Sequence, residues 1–166
     1  ETLKAAACAK HFAVHSGPEA DRHSFDAIAT PKDMEETYLR AFEECVVDAK
    51  VESVMGAYNR VNGVPCCCSE KLLKEILVDK WGFDGYVMSD WNAMSDRVPS
   101  YKAGNDVEMP PTHGIRDAEL LAAYHRGEVT MEEIDRSVAN VLRVIFRHLP
   151  SAEKGTFDVD EHHAAA

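Results

Sequence analysis

The chain has 166 residues, 45% hydrophobic and 28% charged, enough for one ordinary domain with a sizeable core. Its formal net charge of −11 argues against non-specific binding to nucleic acid or an anionic membrane. No apolar run approaches the roughly 18–20 residues needed to span a bilayer, and Glu1-Thr2-Leu3-Lys4 shows no signal-peptide organisation. Five cysteines, three of them adjacent as Cys66-Cys67-Cys68, lack the spacing of a disulfide framework. They lean toward a reducing compartment, which slightly favours the cytoplasm. Adjacent cysteines do not easily turn inward together, so the run reads as a reduced turn before a helix rather than a zinc site.

Residues 5–9 form an apolar run that predicts a first strand, ending in Lys10-His11. A polar stretch over 16–31 follows, with Gly17-Pro18 marking a loop. Asp33 and Glu36 have capping-box spacing and predict a helix start. Tyr38, Leu39, Phe42, Val46 and Ala49 then recur at three- and four-residue steps, the mark of one buried face. A second strand is predicted over 51–58, ending in Tyr58-Asn59, with Asn62-Gly63 and Pro65 as the turn signal after it. Ser69 caps a helix with the stripe Leu72, Leu73, Ile76 and Leu77, which Trp81-Gly82 ends.

A third strand over 86–89 leads into Ser89-Asp90-Trp91. A helix over 93–103 closes at Gly104, and a short strand over 106–109 stops at Pro110-Pro111. Two further helices are predicted, over 116–126 and 131–149. The second opens on Thr130 and Glu133 at capping-box spacing and stops at Pro150. Residues 1–150 therefore read as one domain and 151–166 as a linker. Short hairpin signals between the strands are missing, so four strands each followed by a helix imply parallel pairing. A small doubly wound sheet and half of an eight-stranded barrel both fit that periodicity. The first strand lacks a glycine-rich phosphate fingerprint, which weakens a nucleotide-binding reading.

Lys10-His11, Tyr58-Asn59, Asp90-Trp91 and Glu108 all fall at the C-terminal ends of predicted strands, where β/α barrels carry their chemistry. Each has an ordinary alternative. Asp90 suits a helix N-cap, His11 a satisfied core histidine, Lys10 a solvated surface and Trp91 a core position. Their joint arrangement points instead to an active site. A Schiff-base lysine chemistry for Lys10 rests on the strand-end lysine alone.

Four segments resemble glycoside hydrolase family 3, in its β-glucosidase and β-xylosidase branch. They are Ala9-Lys10-His11-Phe12-Ala13-Val14-His15-Ser16-Gly17-Pro18-Glu19 with Arg22-His23, Ser53 to Pro65, Trp81 to Trp91, and Ala103 to Pro110. The resemblance covers nearly the whole chain in order. It implies the C-terminal half of a (β/α)8 TIM-type barrel with about four parallel strands, and retaining hydrolysis of terminal β-linked glucose or xylose from oligosaccharides or aryl glycosides. It also implies that Asp90 is the nucleophile, that Lys10 and His11 hold sugar hydroxyls, that Tyr58 flanks the nucleophile and that Trp91 forms part of the sugar wall.

A retaining mechanism needs a general acid/base about 5–5.5 Å from the nucleophile. The resemblance places it on a second domain, absent here along with the first barrel strands, so the isolated chain is expected to be inactive or to self-associate. A non-catalytic sugar-binding remnant is the competing reading. Glu108, and Asp21 with His23, are weighed as internal acids, and the resemblance favours neither. No cofactor is implied. The histidines His11, His15 and His23 lack the spacing of a metal site.

Overall fold

The computed structural model describes residues 5–152 and 157–166. Glu1-Thr2-Leu3-Lys4 and residues 153–156 of the expected linker lie outside the described residues. The strands are β1 (Cys8–Phe12), β2 (Asp26–Ala27), β3 (Ser53–Gly56), β4 (Arg60–Val61), β5 (Val64–Pro65) and β6 (Tyr86–Ser89). The α-helices are α1 (Pro31–Asp33), α2 (Arg40–Val47), α3 (Arg97–Ala103), α4 (Asp117–His125), α5 (Met131–Ala152) and α6 (Val159–Ala165). Met34–Tyr38, between α1 and α2, and Lys71–Lys80 are wound as π-helix.

β1, β3 and β6 form a parallel sheet in that order. β3 and β6 pair without a break, from Ser53 opposite Tyr86 to Gly56 opposite Ser89. β1 pairs Ala9 with Val54 and Phe12 with Gly56, so three residue steps on β1 match two on β3. That irregularity falls at Lys10-His11, where a bulge re-aims side chains at a strand end. The fourth strand expected over 106–109 is one parallel bridge, Val107 opposite Met88. Two features limit it. The Asp106 carboxylate, rather than a backbone carbonyl, accepts the Val87 N–H at 3.0 Å, and Pro110 has no N–H to continue a ladder. The observed architecture is therefore α/β with a three-stranded parallel sheet and a bridged fourth segment.

A second sheet joins β2 parallel to β4, and β4 antiparallel to β5. This corrects the reading that hairpins are missing. Asn62 and Gly63 take left-handed φ values of 49° and 87°, the two-residue turn that Asn-Gly favours. Its arms are only two residues long, too short for an alternating pattern to show in the sequence.

Helix ends follow local chemistry. Thr30, not Asp33, caps α1: its Oγ1 accepts the Asp33 N–H at 3.1 Å and its hydroxyl donates to the Asp33 carboxylate at 2.7 Å. Pro31 then fits the first helical position, where its missing N–H costs nothing. Ser69 Oγ accepts the Leu72 N–H at 3.3 Å. Thr130 and Glu133 form the reciprocal box, with N–H contacts of 3.2 and 2.8 Å. α5 runs through Pro150 to Ala152 instead of stopping at the proline, because a proline near a helix end removes a single backbone bond. α6 lies in the stretch read as linker. Asp158 caps it, and residues 157–166 are exposed.

One core binds the sheet to its helices. Phe12, Val54, Leu73, Leu77 and Val87 are buried in it. The Phe12 ring meets Phe42 edge-on at 5.1 Å and Trp81 at 5.9 Å. Gly85, just before β6, lies so close to β3 that a Cβ there would stand 2.1 Å from the Glu52 carbonyl oxygen. Among the described residues no helix is long and apolar enough to cross a membrane.

Candidate active site

The parallel sheet brings the C-terminal ends of β1, β3 and β6 to one edge, and three of the expected residues meet there. Asp90 follows β6 and is only 8% exposed. Its backbone N–H reaches the Gly56 carbonyl at 3.2 Å and its carbonyl closes a turn with the Ala93 N–H at 3.0 Å. Three groups stand at the carboxylate. Oδ1 accepts the Trp91 N–H at 2.7 Å, Oδ2 lies 3.1 Å from His11 Nε2, and the Tyr58 hydroxyl lies close enough to feel the Asp90 charge. No carboxyl group is among these described partners.

Burial holds the His11 imidazole below its usual 6.5, against the pull of Asp90 and aided by the charges of Lys10 and His15. At neutral pH the ring is therefore uncharged beside Asp90. Burial raises the Tyr58 hydroxyl above its usual 10.0, and the adjacent Asp90 carboxylate raises it further. Both neighbours are thus uncharged groups beside a buried carboxylate, an arrangement that leaves the anion unneutralised.

Lys10 and Trp91 stand differently. Lys10 is exposed, and among the described residues it makes no ion pair with Asp90. Its charge helps lower the His11 pKa. Trp91 is 49% exposed, an open aromatic face beside Asp90 rather than a core residue. Such a face suits the apolar side of a sugar ring.

Sequence reasoning missed a layer around Tyr58. His15 Nδ1 contacts Asn59 Oδ1 at 3.2 Å, and Asn59 Nδ2 donates to the Ala13 and Arg60 carbonyls. His23 meets the Tyr58 ring edge at 4.2 Å, and the Arg22 guanidinium lies 5.5 Å over it. Arg22 also pairs with Glu19 at 2.6 Å. The loop over 16–25 thereby folds onto Tyr58, and only the bare motif Arg22-His23 hinted at it. Cys67 packs beneath this edge, its thiol near Asp90 and donating to the Ala57 carbonyl at 3.7 Å. Burial pushes the Cys66 thiol up to about 11 and the Cys67 thiol higher still, so neither is a reactive thiolate. All five cysteines are free, and no metal-binding group of His, Cys, Asp and Glu occurs among the described residues.

Glu108 is held away from Asp90's partners. Its carboxylate pairs with Arg116 and, at 3.1 Å, with Arg97.

A family model described as the glycosyl hydrolase family 3 N-terminal domain matches residues 2–144. The chain belongs to glycosyl hydrolase family 3. It is 40% identical over 161 residues to a thermostable beta-glucosidase B of Acetivibrio thermocellus, which covers 96% of this chain and 21% of that protein. It is 39% identical to an exo-alpha-(1->6)-L-arabinopyranosidase of Bifidobacterium longum, covering 95% and 21%. A xylan 1,4-beta-xylosidase of Xylanibacter ruminicola is 38% identical, covering 93% and 18%. The solved beta-glucosidase 3B of Thermotoga neapolitana in complex with glucose superimposes with a TM-score of 0.85 at 36% identity, covering 96% of this chain and 24% of that one. This family 3 chain thus spans about a fifth of the length of the curated relatives it matches.

Proposed function

We propose that this family 3 chain carries the nucleophile side of a retaining glycosidase site, with Asp90 forming the covalent glycosyl bond. The observation that carries the reading is a nearly buried carboxylate held by the Trp91 N–H, with His11 and Tyr58 beside it, at a strand-end edge. Attack of Asp90 on the anomeric carbon breaks the glycosidic C–O bond, the leaving oxygen departs with a proton from the general acid, and the glycosyl ester so formed is later cleaved by water. Neutral His11 and Tyr58 flank the carboxylate without drawing off the negative charge. Lys10 and His11 also face the sugar hydroxyls, and Trp91 its apolar side. Similarity to a beta-glucosidase and a xylosidase supports terminal glucose or xylose as the sugar.

In this proposal the strands are half of an eight-stranded barrel. The general acid/base is placed outside these 166 residues, because relatives are about five times as long and because Glu108 is already engaged by two guanidiniums. The open edge of β1 takes the remaining strands or, in the isolated chain, a second copy.

Calorimetric titration with the glucose-configured iminosugar 1-deoxynojirimycin tests the site. Binding by the wild type that Asp90→Ala abolishes is expected, since the cation pairs with the carboxylate. Equal binding by both would contradict it. Turnover of 4-nitrophenyl β-glucoside by the isolated chain is expected to be negligible without an acid/base.

A further inference from the structure

Glu108 lies between the two residues whose backbones hold the Asp90 turn. The Ser89 N–H donates to the Val107 carbonyl at 2.9 Å, and the Asn92 N–H donates to the Met109 carbonyl at 2.9 Å. The Met109 N–H donates to Ser89 Oγ at 2.8 Å. These contacts fix the near end of the segment from Asp90 to Arg97. The far end has no ladder: α3 starts only at Arg97, and Asn92 has a left-handed φ of 62°.

The Glu108 side chain supplies what is missing there. It is 10% exposed and lies between Arg97 and Arg116. Arg97 is the last residue of the segment. Arg116 donates from the same Nη1 to the carbonyl of Met94, inside the segment, at 3.0 Å. The two guanidiniums are held from outside in turn, Arg97 by Asp117 at 2.9 Å and Arg116 by Glu119 at 3.3 Å.

Resting on the glycosidase reading of Asp90, we infer that Glu108 is a positioning residue: it clamps the segment carrying Asp90 and Trp91 through Arg97 and Arg116. Among the described residues no contact joins it to Asp90; its Oε1 accepts from Arg116, while Oε2 faces Arg97 at 3.1 Å without a hydrogen bond. Its task is to keep Trp91, half exposed and otherwise loosely packed, in a fixed relation to the carboxylate. Small displacements of an aimed group cost far more in function than in stability.

The experiment is amide hydrogen exchange read by mass spectrometry, paired with 1-deoxynojirimycin affinity, on wild type, Glu108→Gln and Arg116→Lys. Glu108→Gln is expected to speed exchange in peptides over 91–97 at least about tenfold while β1, β3 and β6 keep their protection. Its iminosugar affinity should fall about tenfold in parallel. Arg116→Lys keeps the charge but lacks the Nη1 that reaches both Glu108 and Met94 and the Nε that holds Glu119, so it should show the same local pattern more weakly. It decides the matter if Glu108→Gln fails to fold, because Arg97 and Arg116, both largely shielded from solvent, then lose the carboxylate they share. Unchanged exchange over 91–97 in the folded variants overturns the inference. A wild type that binds no iminosugar counts against the glycosidase reading alone, and the exchange pattern still decides the clamp.

Discussion

His11 Nε2 stands 3.1 Å from Asp90 Oδ2, and the two residues come from strands separated by β3 in the sheet. Because the contact spans the full width of the sheet edge, the charge state of one ring governs how the carboxylate is held. Burial lowers the His11 pKa from 6.5, so the unfolded chain takes up the proton first as pH falls. The stability His11 contributes is therefore complete above about 6.5 and is lost as pH drops below it. The His11 ring signals followed by NMR should titrate below 6.5. In Asp90→Asn the midpoint should move lower still, since Asp90 is the group that pulls it up. A midpoint above 6.5 in the wild type contradicts this account.

Tyr58 gives the complementary titration. Its hydroxyl is raised above 10.0 by burial and by the Asp90 carboxylate. The unfolded phenol ionises first, so the Tyr58 contribution to stability is lost as pH rises through 10. Difference absorbance of wild type against Tyr58→Phe should show one tyrosine ionising late. Asp90→Asn should bring that transition down, and an unmoved transition would separate Tyr58 from Asp90.

Asp106 is a buried carboxylate whose pKa is raised mainly by that burial. It accepts the Val87 N–H at 3.0 Å and the Asn140 amide at 3.3 Å. The sign is that of Tyr58 and opposite to that of His11: its contribution is largest below the unfolded value of 3.8 and declines as pH rises past it. Asp106→Ala orphans the Val87 N–H and should cost about 2 kcal/mol by denaturant unfolding. Asp106→Asn keeps an acceptor and should make stability less dependent on pH above 3.8. Equal losses in both variants would show that the carboxylate's hydrogen bonds are not what matters.

Gly85 offers a test of the sheet. A methyl there meets the Glu52 carbonyl oxygen at 2.1 Å, and that carbonyl also accepts the Tyr86 N–H at 3.2 Å. Backbone, not a flexible side chain, must move. Gly85→Ala should cost more than about 3 kcal/mol or prevent folding. A chemical-denaturation midpoint like that of the wild type would mean β3 and β6 are not held in the observed register.

Much of the site was legible because parallel strands deliver their C-terminal residues to one edge. Asp90, His11 and Tyr58 each ended an apolar run, and β6 lies where its run predicted. Lys10 and Trp91 shared that sequence position, yet Lys10 is exposed without an ion pair to the carboxylate and Trp91 reaches it through its backbone N–H rather than its ring. The rest depended on contacts with no period. Arg97, Glu108 and Arg116 are 11 and 8 residues apart across loops, so no helical or strand spacing links them. The loop at Arg22 and His23 finds Tyr58 only in three dimensions. The fourth strand shrank to one bridge because the Asp106 side chain took a backbone donor, and a side chain's choice of partner is invisible to hydropathy.

The central claim is that Asp90 is a nucleophile. Its most direct test is incubation of the chain with 2,4-dinitrophenyl 2-deoxy-2-fluoro-β-glucoside, followed by peptide mass spectrometry. The leaving group is activated enough to depart without an acid, and the fluorine slows hydrolysis of the ester, so a missing acid/base does not mask the step. The account predicts a single fluoroglucosyl label on Asp90, absent from Asp90→Asn. Saturable sugar binding with no label on Asp90, or a label on another carboxylate, would contradict it and favour a sugar-binding remnant.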